Sequence, residues 1–145
     1  MSAENVALVR SLQLDGDVDV ATLLNDADAR SRLREEAARL YEPSVQVTMR
    51  LPGMGPVAYS GLDGLGDAWR DWLSHWESYR VETEDVIADG EQVVVVHRSY
   101  GRPRPGVPEI ARRRATIWTV RDGRVVSVDF NVPCAEALEA FAPAT

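Results

Sequence analysis

The second half of the chain is a run of β-strand segments joined by short turns, with no helical segment between them. Asp122-Gly123 favours a two-residue hairpin, because both of its residues tolerate positive φ, and Asp89-Gly90 marks another turn. The strands predicted on either side of these turns are 81–88, 93–100, 110–120 and 124–131. Strands connected in this way pair antiparallel, so this half predicts a twisted antiparallel meander and excludes a βαβ order.

The first half is mainly helical, with a single strand predicted at 45–51, where Val and Met alternate with polar residues. The helices predicted from apolar residues at spacings of three and four are 6–12, 20–24, 33–41, 63–79 and, near the C-terminus, 135–141. The chain has 145 residues, so 1–145 is expected to form one α+β domain. A curved antiparallel sheet would pack against N-terminal helices and one long helix.

Composition excludes several classes of function. The net charge of −7 disfavours binding to phosphate backbones, so we expect no nucleic-acid partner. All sixteen basic residues are Arg, which excludes Schiff-base chemistry on a lysine, and Cys134 is the only cysteine. The N-terminus is polar and no stretch is long and apolar enough to span a membrane, so a cytoplasmic protein is expected.

One basic cluster, Arg112-Arg113-Arg114, interrupts this acidic chain. It is interpreted as a strand edge that presents charge to solvent. Contact with a membrane or a nucleic acid is the alternative.

Three strings carry a resemblance to a known family: Tyr59-Ser60-Gly61 followed by Trp69 and Trp72, the segment 117–126, and Ala135-Glu136-Ala137-Leu138. Their order and spacing resemble the SnoaL-like branch of the nuclear-transport-factor-2-like superfamily. The resemblance implies a cone-shaped sheet with a pocket at its open end, and a homodimer. The superfamily includes ketosteroid isomerases, limonene epoxide hydrolases, polyketide cyclases and non-catalytic binding modules, so the fold does not assign the function.

Strand alternation predicts which residues face the pocket. With an ungapped hairpin at Asp122-Gly123, one face carries Ala115, Ile117, Thr119, Val126, Val128 and Phe130. The other face carries Thr116, Trp118, Val120, Val125, Ser127 and Asp129. The first face is more continuously apolar and is assigned to the interior, and the second, with Trp118, to the back of the sheet and a dimer interface. A shift of one residue would exchange the faces and bring Asp129 and His97 inside.

The predicted ligand-contacting residues are apolar and come from both the long helix and the sheet: Trp69, Trp72, Val47, Met49, Ile117, Val128 and Phe130. Core packing is the alternative for the tryptophans. The relatives with isomerase, hydrolase or cyclase activity carry carboxylates where this chain has Val47, Ala115 and Phe130. The usual proton acceptors of those mechanisms are therefore missing here.

Four polar residues are the catalytic candidates. Arg98 and Tyr100 share a strand face and could hold an oxyanion through charge-assisted hydrogen bonds, or could simply be a surface arginine and a half-buried tyrosine. His97 and Asp129 could form an acid/base pair if the register is shifted. No metal-ligand spacing is present, and no metal or organic cofactor is expected.

Three functions remain open at this stage. The first is a cofactor-independent enzyme that acts on a hydrophobic polycyclic or terpenoid-like substrate by acid/base chemistry. The second is a non-catalytic module that binds a hydrophobic small ligand. The third is a dimeric interaction protein with a filled interior.

Overall fold

The computed structural model describes residues 2–139. The helices are α1 (Ser2–Ser11), α2 (Val20–Asn25), α3 (Ala27–Leu40), α4 (Gly61–Leu73) and α5 (Cys134–Glu139). The strands are β1 (Tyr41–Leu51), β2 (Gly55–Ser60), β3 (Ser78–Asp89), β4 (Gln92–Arg102), β5 (Ile110–Arg121) and β6 (Arg124–Val132). The predicted α+β class is confirmed. None of the helices between residues 2 and 139 has the length and apolar character needed to cross a bilayer.

The six strands form one curved sheet in the order β2-β1-β6-β5-β4-β3. The predicted meander from β3 to β6 is antiparallel throughout. The sheet as a whole is mixed, because β1 pairs with β6 in parallel. It also gains the strand β2 at one edge, which the Pro/Gly-rich sequence before Val57 does not suggest.

Two bulges in β6 decide which residues share a face. The hairpin forms as predicted, with Arg121 opposite Arg124, but Thr119 pairs with Ser127 rather than with Val126. Val126 is therefore an extra residue, and Val128 lies opposite Trp118. A second irregularity between Ala115 and Ile117 leaves Phe130 and Asn131 opposite one residue of β5. A bulge reverses the alternation beyond it, so an ungapped register is wrong here.

The two faces of the sheet have different cores. The inner face packs against the helices through the larger cluster, which includes Val95, Trp118, Val128 and Phe130. The outer face has a smaller cluster built on Val94, Val96, Ala115, Val132 and Ala137 of α5, with Ile117 packed against it. The predicted interior position of Ala115, Ile117 and Thr119 is thus corrected, and so is the placement of Trp118 on the back of the sheet.

Side-chain caps fix the helices that close the inner side. Asp26 accepts hydrogen bonds from the backbone N–H groups of Asp28 and Ala29 at the start of α3. Asp19 caps α2 and also accepts from the backbone N–H of Tyr79 at 3.0 Å, which ties this helix to β3. These bonds hold α2 and α3 over the open end of the inner face.

The long helix is shorter than predicted, because α4 ends at Leu73 and Trp76 lies in the loop before β3. The indole of Trp76 lies directly on Gly101, where a Cβ atom would be 2.5 Å from its Cε3 atom. The closing helix α5 begins one residue before the predicted range of 135–141, and the predicted residues 140 and 141 lie outside the described part of the chain.

Candidate functional site

A cavity of about 870 Å³ lies between the inner face of the sheet and α2, α3 and α4. Its wall is rich in aromatic rings. Phe130 makes edge-to-face contacts with Trp69, with ring centroids 5.3 Å apart, and with Trp118 at 5.8 Å. The volume is that of sites that hold drug-sized molecules, and rigid rings give such a wall a fixed shape.

The predicted ligand-contacting residues are divided among three places. Met49, Trp69 and Phe130 line the cavity. Val47 and Val128 lie in the apolar core of the inner face, and Trp72 lies in that core and lines a second, smaller cavity. Ile117 is on the outer face.

A histidine–threonine pair is one buried polar part of the cavity wall. His97 is 6% exposed and Thr116 is 5% exposed, and the His97 Nε2 atom is 3.2 Å from Thr116 Oγ1. The other ring nitrogen, Nδ1, is shielded from solvent and has no hydrogen-bond partner within residues 2–139. Burial lowers the pKa of His97 to about 4, a shift that the positive charge of Arg114 assists and Glu84 opposes. The imidazole is therefore neutral at physiological pH.

Asn131 is a cavity residue that the sequence interpretation missed. It lies in the second bulge of β6 with φ of 61°, so both Phe130 and Asn131 line the cavity. Its side chain is buried, and Nδ2 lies 3.1 Å from the sulfur of Met49. Asn is one of the few residues that adopt positive φ readily, and this preference is the only sequence signal for the bulge.

The predicted Arg98–Tyr100 pair is on the outer face, away from the cavity. Arg98 follows His97 on β4, so its side chain points to the opposite face of the sheet. The Arg98 Nε atom is 3.8 Å from Glu84 Oε2. The guanidinium of Arg80 lies 3.8 Å from the centre of the Tyr100 ring. Both residues take part in surface interactions, so the structure does not support them as contacts of a ligand in the cavity.

Asp129 is also on the outer face, separated from His97 by the sheet. Its carboxylate is 3.7 Å from Arg50 Nη2, which in turn binds Glu136 of α5 at 3.2 Å. Burial raises the pKa of Asp129, and the nearby Arg50 opposes that shift. The predicted His97–Asp129 acid/base pair is not formed, because the bulge at Val126 keeps Asp129 outside while His97 faces in.

The charged residues that line the cavity are exposed to solvent, except for Asp67, which is half-buried. They are Arg30, Arg34, Glu36, Asp63, Asp67, Arg70 and Glu77, and Arg34 forms an ion pair with Asp63. Among residues 2–139, no group of three His, Cys, Asp or Glu side chains is arranged to hold a metal ion. A ligand would thus pass a polar rim and reach an apolar interior.

The comparison with protein families gives a match to the SnoaL-like domain over residues 20–128. The chain belongs to this family. No curated protein gives a significant match. The family resemblance expected from the sequence is thereby confirmed.

Solved structures with this fold cover almost the whole SnoaL-like domain. A putative SnoaL-like polyketide cyclase from Jannaschia sp. has 17% identity and a TM-score of 0.64, over 99% of this chain and 95% of that one. An NTF2-like protein of unknown function from Burkholderia pseudomallei has 21% identity and a TM-score of 0.62, over 94% and 95%. The protein TerC, co-crystallised with polyporic acid, has 19% identity and a TM-score of 0.59, over 83% and 93%. At these identities the likeness establishes the fold.

The chemistry available inside this SnoaL-like domain is limited and specific. Burial raises the pKa of Tyr41 and of Tyr79, so both phenols stay protonated at neutral pH. With a neutral His97 and no carboxylate in the cavity interior, the inner groups offer neutral hydrogen bonds and aromatic surface. Such a site favours an uncharged, ring-containing molecule over a strongly ionised one.

Proposed function

We propose that this SnoaL-like domain binds a hydrophobic, ring-containing small molecule, of the polycyclic or terpenoid-like kind, in the cavity between the sheet and the helices. The observation that carries this proposal is a cavity of about 870 Å³ with an aromatic wall and a buried, neutral His97–Thr116 pair. Burial of apolar rings supplies the affinity, at roughly 25 cal/mol per Å² of apolar surface removed from water. The polar pair supplies orientation for a ligand oxygen.

One solved structure with this fold was obtained together with a small organic molecule. TerC, which shares the fold, was co-crystallised with polyporic acid.

We further propose that the domain is a homodimer. Because Trp118 is inside, such a dimer would have to use other residues of the outer face.

The binding proposal is tested by filling the cavity. Ala37 lies on α3, is half-buried and lines the cavity, whereas the next residue, Ala38, is exposed and does not. Ala37→Trp should abolish binding, and the matched variant Ala38→Trp should leave it intact. Isothermal titration calorimetry with a panel of polycyclic ketones and quinones measures both. If no compound binds the unchanged protein, or if both variants bind equally, the proposal fails.

Catalysis is a second candidate, and one observation favours it: His97 is the imidazole that lines the cavity. A neutral imidazole can accept a proton from a bound ketone or phenol. Its low pKa and the lack of a carboxylate partner favour simple binding instead. Mass spectrometry of bound compounds after incubation separates the two, since only catalysis gives a product that His97→Gln abolishes.

A further inference from the structure

Strand alternation divides the three consecutive arginines of β5 between the two faces of the sheet. Arg113 is on the outer face, where its Nε atom donates to Glu84 Oε1 at 2.9 Å. Arg112 and Arg114 lie on the inner side, opposite Ser99 and His97 of β4. Neither of these two forms a salt bridge with any residue between 2 and 139. Two unpaired cations on one side of a strand are unusual in a chain with a net charge of −7.

Arg112 and Arg114 line a second cavity, of about 360 Å³. Arg50 of β1 also lines this cavity, together with Trp72, Ser99 and Asn131. No Asp or Glu is among the described residues that line it. This differs from the large cavity, whose lining residues include both carboxylates and guanidiniums.

The guanidinium of Arg50 is already held by carboxylates of the outer face. Its Nη2 atom reaches Glu136 at 3.2 Å and Asp129 at 3.7 Å, while its buried Nη1 atom has no hydrogen-bond partner in the described part of the chain. The positive charge that is free to bind a group in the second cavity is therefore that of Arg112 and Arg114.

We propose that this second cavity is a binding site for an oxyanion, a carboxylate or a phosphate group. The planar guanidiniums of Arg112 and Arg114 match the oxygen atoms of such a group, and charge-assisted hydrogen bonds are the strong ones. The site goes beyond the proposed binding of an uncharged ring compound and does not depend on it.

The oxyanion can come from two sources. It can be a free ion, or it can be the acidic group of a molecule whose rings occupy the large cavity, because Asn131 lines both cavities. The chemistry that recognises the group is the same in both cases. The experiment therefore needs one probe for each source.

The first probe is inorganic phosphate, titrated by calorimetry at constant ionic strength. The second is a pair of ring compounds, 2-naphthoate and the uncharged 2-naphthalenemethanol. The double variant Arg112→Gln and Arg114→Gln removes the inner charges, and Arg113→Gln is the matched control, since it removes the neighbouring charge on the outer face. Arg112 is exposed and Arg114 is partly exposed, so the double variant should fold, and Arg114→Gln alone provides a milder form.

We expect phosphate to bind the unchanged protein and Arg113→Gln, and to bind the double variant at least about tenfold more weakly. If phosphate does not bind but the preference for 2-naphthoate over the alcohol is lost in the double variant, the ring ligand carries the oxyanion and the site is confirmed. If neither probe depends on Arg112 and Arg114, or if Arg113→Gln weakens binding equally, the proposal is wrong. The phosphate result stands even if no ring compound binds, which separates this proposal from that for the large cavity.

Discussion

The inner and outer faces of β4 and β5 carry neighbouring residues with different environments. On the inner face, His97, Thr116 and Trp118 are at most 6% exposed. On the outer face, the side chains of Arg98 and Arg113 are 46% and 55% exposed and share the carboxylate of Glu84. One step along a strand thus changes a polar residue from a buried, neutral group into a solvated, charged one.

This difference shows that residues next to each other on one strand can have very different hydration. Burial removes the charge of His97, because an imidazolium in a poorly hydrated wall loses its solvation. The outer arginines keep their charge, because water and Glu84 stabilise it. The inner face should therefore control ligand binding, and the exposed charged residues of the outer face should affect neither binding nor stability strongly.

The largest expected effect is that of removing an inner aromatic ring. Trp118→Ala should lower the free energy of unfolding by about 3–5 kcal/mol, because it leaves a void beside Phe130 and Tyr41. Thr119→Ala, one residue further and on the outer face, should cost less than about 1 kcal/mol. Urea unfolding followed by circular dichroism measures both. Equal losses at the two positions would contradict the inner and outer assignment.

The next effect is the pH dependence that His97 confers on stability. Its pKa is about 4 in the folded chain and 6.5 when unperturbed. Between these values the unfolded chain binds a proton and the folded chain does not, so stability falls as pH falls through this window. The loss attributable to His97 should reach about 3 kcal/mol near pH 4.

His97→Gln should remove that loss while keeping a side chain that can bond to Thr116. The quantity to measure is the difference in unfolding free energy between this variant and the unchanged protein, from about pH 7 down to about pH 4. Carboxylates such as Asp129 titrate in both proteins, so their contribution largely cancels. Parallel pH profiles would mean that His97 is hydrated in the folded state.

The sequence predicted the order of elements well, because each element has a local signal. The Asp122-Gly123 turn predicted the hairpin, and Arg121 does lie opposite Arg124. The alternation of Val and Met within 45–51 predicted β1. These signals depend on neighbouring residues only, and local chemistry is what a sequence displays most directly.

The faces of β5 and β6 could not be predicted in the same way. The extra residue at Val126 has no turn-forming or glycine signal, since its neighbours are Val125 and Ser127. Because of this bulge, Val128 lies opposite Trp118 on the inner face, and Asp129 lies opposite Ile117 on the outer face. Each bulge reverses the predicted face of the residues beyond it. The predicted catalytic residues depended on these face assignments more than any other prediction did.

The smallest expected effect is that of Arg98, which tests the outer face directly. Arg98→Ala removes a surface ion pair whose shortest contact is 3.8 Å, so the free energy of unfolding should change by less than about 1 kcal/mol, and by less still in high salt. Affinity for any ring compound that binds the large cavity should be unchanged, because the guanidinium lies on the far side of the sheet. Calorimetry on this variant beside Ala37→Trp makes the comparison. A tenfold loss of affinity in Arg98→Ala would place the ligand, or part of it, on the outer face, and Arg98 and Tyr100 would again be candidates for contacting it.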